Sequence, residues 1–146
     1  MAKTTLREYG TSVIAGSHGD EEIIPALGDG SCVPGDCVGL LSTGKVVGTD
    51  IGASEDFIGI LMESDITGLE TAIVDAVPCD IVIPQSGHRY NVRILDLGAA
   101  GEVGHPLDYS ATAGKMDAAA DGIHAVANAA RPIADDDTVA QVIWRR

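Results

Sequence analysis

Val33-Pro34-Gly35-Asp36-Cys37-Val38-Gly39-Leu40-Leu41-Ser42-Thr43-Gly44-Lys45-Val46-Val47 contains a turn, an apolar run, a tight Gly-Lys turn and a second apolar run. Pro34-Gly35-Asp36 combines a fixed φ, a residue that tolerates positive φ and a side-chain acceptor, which marks a turn. Ser42-Thr43-Gly44 is expected to close a hairpin between Cys37–Leu41 and Lys45–Val47. Phe57-Ile58-Gly59-Ile60-Leu61-Met62 follows, nearly all apolar and therefore read as a buried strand. The phrase returns further along. Val103-Gly104-His105-Pro106-Leu107 leads through Asp108-Tyr109-Ser110 to Ala113-Gly114-Lys115-Met116. Gly35 aligns with Gly104, Gly44-Lys45 with Gly114-Lys115, and Ala72 and Val74 with Ala140 and Val142. His105-Pro106 departs from the first copy, so two accounts stand: a true internal repeat, or two turn-rich β segments that align because both are turn-rich. Neither copy carries a nucleophile, a paired base or a ligand cluster. The pattern points to a protein that makes shape rather than chemistry.

Around these phrases the chain reads as short strands separated by turns. Glu22–Ile24, Thr71–Val77, Asp80–Pro84, Tyr90–Leu95, Pro106–Tyr109, Gly122–Ala129 and Thr138–Trp144 are the further strand segments. Only Lys115–Ala120 reads as a short helix, ended by Gly122. The fold class expected is all-β with little helix: small β-barrel units, two of them if the repeat is real. Residues 1–16 look like an arm and 17–146 like the β domain, with sub-units at about 32–97 and 98–146. Met1–Thr5 has no apolar stretch behind it, so no signal peptide is expected, and no apolar run is long enough to span a bilayer as a helix.

Charge narrows the partners. The 146 residues hold 22 acids against 9 bases, a net charge of −13; Asp outnumbers Glu 15 to 7, and the 3 lysines are Lys3, Lys45 and Lys115. Such a surface repels nucleic acid, whose binding needs Lys and Arg against phosphate, and it repels anionic lipid. Direct nucleic-acid and membrane partners are therefore not expected. Self-repulsion is relieved when salt shortens the Debye length to about 3 Å near 1 M. An Asp-rich, Lys-poor composition looks salt-adapted, similar to that of halophilic archaea and their viruses; the alternative is an ordinary acidic protein.

Each candidate chemical feature has a plain structural counterpart. Cys32, Cys37 and Cys79 lack zinc-knuckle spacing and are read as small buried hydrophobes. His18, His88, His105 and His124 show no metal-binding spacing. Gly28-Asp29-Gly30-Ser31 is not a nucleophile elbow, and Gly44-Lys45 is not a phosphate loop, since Val46 stands where Ser or Thr is needed. Asp135-Asp136-Asp137 is a solvated loop or a site for Ca²⁺ or Mg²⁺; no other cofactor and no resident metal is expected. An enzyme would have to draw on Cys79, Asp80, His88 and Arg89 near the Pro84–Gly87 loop, where no catalytic order is recognisable. The expectation is no enzyme.

The phrase from Val33 to Val47 with Phe57–Ile60 resembles the small β domains of head-decoration (cement) proteins of tailed double-stranded DNA viruses. The second copy, Val103–Leu107 with Gly114-Lys115, Val126-Ala127 and Val139–Ile143, is similar to the same phrase, so the resemblance covers about Cys32 to Arg146. It implies a lambda-type β-tulip or small barrel with no catalytic residues. It also implies a homotrimer on the virion surface, assembled in the host cytoplasm and docked on the major capsid protein by an N-terminal arm. On this reading Thr5, Leu6, Arg7 and Tyr9 dock on the capsid protein, Leu6 and Tyr9 as anchors. Trp144 is either a trimer-interface residue or a core aromatic. Turret, spike or tail-tube subunits are the alternatives within the virion.

Overall fold

The computed structural model describes residues 5, 13–15, 21–49, 57–63, 68–95, 97, 100–119 and 125–145. Eleven strands form among them: β1 (Ile14–Ala15), β2 (Glu22–Leu27), β3 (Cys37–Leu40), β4 (Val46–Gly48), β5 (Gly59–Leu61), β6 (Pro78–Ile83), β7 (Arg89–Arg93), β8 (Pro106–Tyr109), β9 (Met116–Ala118), β10 (Ala127–Ala129) and β11 (Val139–Trp144). They make two antiparallel sheets, ordered β2-β6-β5-β3-β4 and β1-β7-β11-β10-β8-β9. The described chain is all-β, as its turn spacing predicts.

Apart from β1, the two sheets are one topology used twice. The strands β2 to β6 correspond in chain order to β7 to β11, and the pairing registers correspond residue by residue. Cys37↔Ile60 in the first sheet matches Pro106↔Asn128 in the second. Val38↔Gly48 matches Leu107↔Ala118, Leu61↔Ile81 matches Ala129↔Val142, and Ile24↔Ile81 matches Tyr90↔Val142. The turns agree as well. Gly35 and Gly104 have φ of 94° and 90°, and Gly44 and Gly114 both have φ of 85°, the left-handed region that glycine enters without a Cβ penalty.

In each unit a parallel bridge joins the edge strands, Leu27↔Lys45 in the first and Ile94↔Met116 in the second. Each set of five strands therefore wraps into a small barrel, and a barrel this narrow is filled by its own side chains. Ala26, Val38, Val46, Leu61, Cys79 and Ile81 fill the first, with Ile73 folded over one end. Ile133 takes the position of Ile73 in the second barrel: Ile73 N–H bonds to Cys32 O at 3.0 Å, and Ile133 exchanges two backbone bonds of 2.8 Å with Gly101. Strand alternation places Cys37, Ile60 and Val82 on the opposite face of the first barrel, where they join the core of the second. The two barrels thus share packed interior.

Three sequence expectations change. Within the segment read as a helix, Lys115–Ala120, the described residues Met116–Ala118 form a strand that pairs with β8 and completes a hairpin; pairing outweighs the helix propensity of a short Ala run. Thr71–Val77 is not a strand. Ala76 has φ of 62° in a turn closed by Val77 N–H on Val74 O. The residues of the first unit that match Ala140 and Val142 are consequently Cys79 and Ile81, because the connection over 62–77 is longer than that over 130–138. The division between units falls in the turn at 84–88, which carries the chain from β6 in one sheet to β7 in the other, not near 97, since β7 opens the second barrel as β2 opens the first.

Gly59 is needed for this packing. A Cβ there would lie 2.2 Å from Val82 O and 2.6 Å from Ile81 Cγ2, against backbone that cannot swing aside. Gly59→Ala is expected to destabilise by about 2 kcal/mol, read as a lower urea midpoint; an unchanged midpoint would contradict the β5–β6 approach.

Candidate interaction surfaces at the barrel junction

The barrels meet through unlike surfaces. The first contributes its Val33–Asp36 turn, and the second its β8–β9 hairpin, tipped by Gly114-Lys115. Asp36 is held in place locally: its N–H bonds to Val33 O at 3.0 Å and its Oδ2 accepts Val33 N–H at 2.9 Å. Lys115 Nζ then donates to Asp36 Oδ1. Two backbone bonds of 2.8 Å, Cys37 N–H to Gly114 O and Gly114 N–H to Thr49 O, fix the hairpin tip. Glycine is required at 114, where a Cβ would lie 3.1 Å from Asp36 Cγ in a residue already at positive φ.

A second polar anchor lies beside it. Arg93 donates through Nε to Pro34 O at 3.0 Å, and through Nη2 to Leu69 O at 2.9 Å and Glu70 Oε2 at 2.7 Å. One guanidinium thereby ties β7 to two loops of the first unit. The cleft between these anchors has a volume of about 370 Å³. Val33, Ile94, Leu95 and Thr138 line it, together with Glu70, Arg93 and Lys115. Both cations already have carboxylate partners, so the cleft is an apolar seam more than a binding pocket.

Burial pushes the Asp36 carboxyl upward. The Lys115 ammonium, the Val33 N–H and the Arg93 charge oppose this, and the net direction is up. Burial also raises Asp29, yet its bonds from the Ser31 and Cys32 backbone and side chains together bring it below the ordinary value. Ser31 Oγ donates to Asp29 at 2.7 Å, so Asp29-Gly30-Ser31 is a self-satisfied turn. The three cysteines are buried and free. Burial pushes the Cys32 thiol up to about 12 and raises Cys37 and Cys79, the opposite of an activated thiolate.

The other residues singled out in the sequence are dispersed. Thr5 is half-buried, and Leu6, Arg7 and Tyr9 lie outside the described residues, as do His18 and His124. Trp144 is 2% exposed. It stacks on Phe57 at 5.4 Å between ring centroids and meets Tyr90 edge-on at 6.4 Å. It is therefore the core aromatic of the two alternatives, with almost no surface to offer a trimer partner. Asp137 is buried and accepts Ala134 N–H at 2.8 Å, copying the Asp36 turn, while Asp135 and Asp136 are exposed. Among the described residues no three His, Cys, Asp or Glu side chains group as a metal site would require. Of the residues an enzyme would draw on, Asp80 is exposed and Cys79 buried, and His88 is tied to Glu21.

Sequence reading missed two features. In the sequence Asp36 reads as a turn residue and Lys115 as part of a Gly-Lys turn or the start of a short helix, and their pairing across the junction follows only from how the barrels dock. The second is a polar cluster where the start of β2 meets the turn between β6 and β7. Glu21 accepts Tyr90 Oη–H at 2.7 Å and contacts His88 Nδ1 at 2.6 Å, and Gln85 N–H donates to the phenol Oη of Tyr90 at 2.9 Å. Compared with known proteins, the chain matches no family model and no curated protein.

Proposed function

We propose that this chain is a capsid decoration subunit. It binds the outside of the expanded icosahedral shell of a tailed double-stranded DNA virus and stabilises that shell against internal DNA pressure. Binding to the expanded state alone stabilises it by mass action, without chemistry. What carries the reading is the repeated barrel. The phrase that resembles decoration proteins is the β3–β4–β5 unit in one barrel and β8–β9–β10 in the other. Its Gly, Asp and Lys residues serve turns and the junction. The acidic surface suits an exterior position in salt, away from packaged DNA.

The arm supplies the shell contact, with Thr5, Leu6, Arg7 and Tyr9 adding to a capsid sheet edge. The test is co-sedimentation with expanded and unexpanded shells of the same virus. Full-length protein is expected to pellet with expanded shells only. A variant lacking residues 1–9 is expected to keep its fold, by circular dichroism, and to stay in the supernatant. Equal binding of the truncated protein would remove the arm from the account. Copy number in purified particles comparable to the major capsid protein supports decoration, whereas a few dozen copies would instead assign a tail or spike.

A further inference from the structure

The junction inside the chain is built from two unlike faces, and the repeat gives each barrel both. One hairpin face and one turn face are used up internally. Their counterparts are the β3–β4 hairpin tip of the first barrel and the Val103–Pro106 turn of the second. Pro34, Gly35 and Asp36 are buried at the junction; the matching Val103 is 63% exposed. Ser110 on the docked hairpin is 1% exposed and the matching Leu41 is 49% exposed. Tyr109, packed against the shared core, corresponds to Leu40 at 36%. Val82, fully buried in that core, corresponds to Ile143 at 37%. Of the exposed large apolar side chains among the described residues, these four belong to the two unused faces, the other three being Ile23, Ile58 and Val74.

The polar pairings of the junction have been removed from both unused faces together. Asp36 is replaced by His105, and the lysine that would have met it, Lys45, is instead paired with Asp75 of its own barrel at 2.9 Å. Cys37, whose N–H holds Gly114 O, is replaced by Pro106, which has no N–H. The matching acceptor, Gly44 O, already receives Leu27 N–H at 2.9 Å. Contact between these faces would strand no charge of the lost Asp–Lys pair and neither partner of that backbone bond. It would bring apolar side chains against apolar side chains.

We propose that the Leu40-Leu41 hairpin tip of one copy of this chain docks on the Val103–Pro106 turn and Ile143 of another copy, repeating between chains the contact made within each. Such a contact is heterologous, so copies join head to tail and either close into a ring or extend. The proposal stands on the repeat and not on the decoration reading, and its test uses no shells.

The experiment is analytical ultracentrifugation of full-length protein at physiological and at molar salt, where charge repulsion is screened. Wild type is expected to form assemblies of two or more copies, more readily at molar salt. Leu41→Asp or Val103→Asp alone is expected to weaken association by roughly tenfold or more, with an unchanged circular dichroism spectrum because both side chains are exposed. Mixed together, the two variants retain one good face each and are expected to give a 1:1 heterodimer that grows no further. Wild type monomeric at both salts up to millimolar chain would overturn the proposal. So would variants that still assemble alone, or a mixture that yields no heterodimer.

Discussion

Trp144→Ala is expected to lower the free energy of unfolding by about 3–5 kcal/mol. The indole is buried on every side, against Phe57 in stacked geometry and Tyr90 in edge geometry. Phe57 precedes β5 of the first unit and also packs on Tyr109 of the second, at 5.1 Å between centroids. The cavity left by alanine would therefore open where the two barrels are joined, and neither could collapse to fill it. Trp144→Phe keeps most of the stacking and is expected to cost less, about 1.5 kcal/mol. Urea unfolding measures both. A loss below about 1 kcal/mol for the alanine variant would contradict a core role.

Asp36→Ala is expected to cost about 3 kcal/mol, because it leaves Val33 N–H and Lys115 without their acceptor. The Asp36 side chain is 5% exposed but Lys115 is 27% exposed, so water recovers part of the lysine's loss and the figure lies at the low end for a broken buried pair. Asp36→Asn retains an acceptor for Val33 and is expected to cost about 1 kcal/mol at neutral pH. The pH dependence has a definite sign. Burial raises the folded-state value of Asp36, so the folded chain holds that proton more tightly than the unfolded one. The associated stabilisation is complete below the ordinary carboxylate range and is lost as pH rises through the raised value. The stability gap between wild type and Asp36→Asn should therefore widen from neutral pH to about pH 4. A gap that narrows would mean the Lys115 charge outweighs burial. Asp29 acts in the opposite direction, losing its contribution as pH falls through its lowered value.

The repeat was legible because its turns are. A glycine at positive φ ahead of a strand and another at a hairpin tip leave a pattern that survives when the strands between them diverge. The strands themselves followed from apolar runs at β3, β5, β6, β7 and β11. The errors came where length or tertiary pairing decides. Met116-Asp117-Ala118 has no β signal of its own and becomes a strand because Leu107–Tyr109 lies beside it. Thr71–Val77 has the apolar content of a strand, yet Ala76 turns it back so that Ile73 covers a barrel end. That turn lengthens the connection before β6, so β11 aligns with β6 and the unit boundary falls before β7. The junction was invisible for a different reason: a carboxylate and an ammonium far apart in sequence show no periodicity, and each already had a sufficient local explanation as a turn residue. What the sequence does hold is the asymmetry, Asp36-Cys37 against His105-Pro106. It first reads as a departure that weakens the repeat; beside the docked hairpin it separates the closed face from the open one.

Two copies of one barrel, joined because three residues of the first pack into the core of the second, should unfold as one unit. The chain carries a separate reporter for each: Trp144, its one tryptophan, in the second barrel, and Cys32 and Cys79 in the first. Tryptophan fluorescence and pulsed thiol labelling, followed across one urea titration, compare the two directly. Coincident midpoints and slopes are expected for wild type, because Cys37, Ile60 and Val82 of the first barrel are part of the core that holds Trp144. Two separated transitions would show barrels that fold independently and would contradict the shared core.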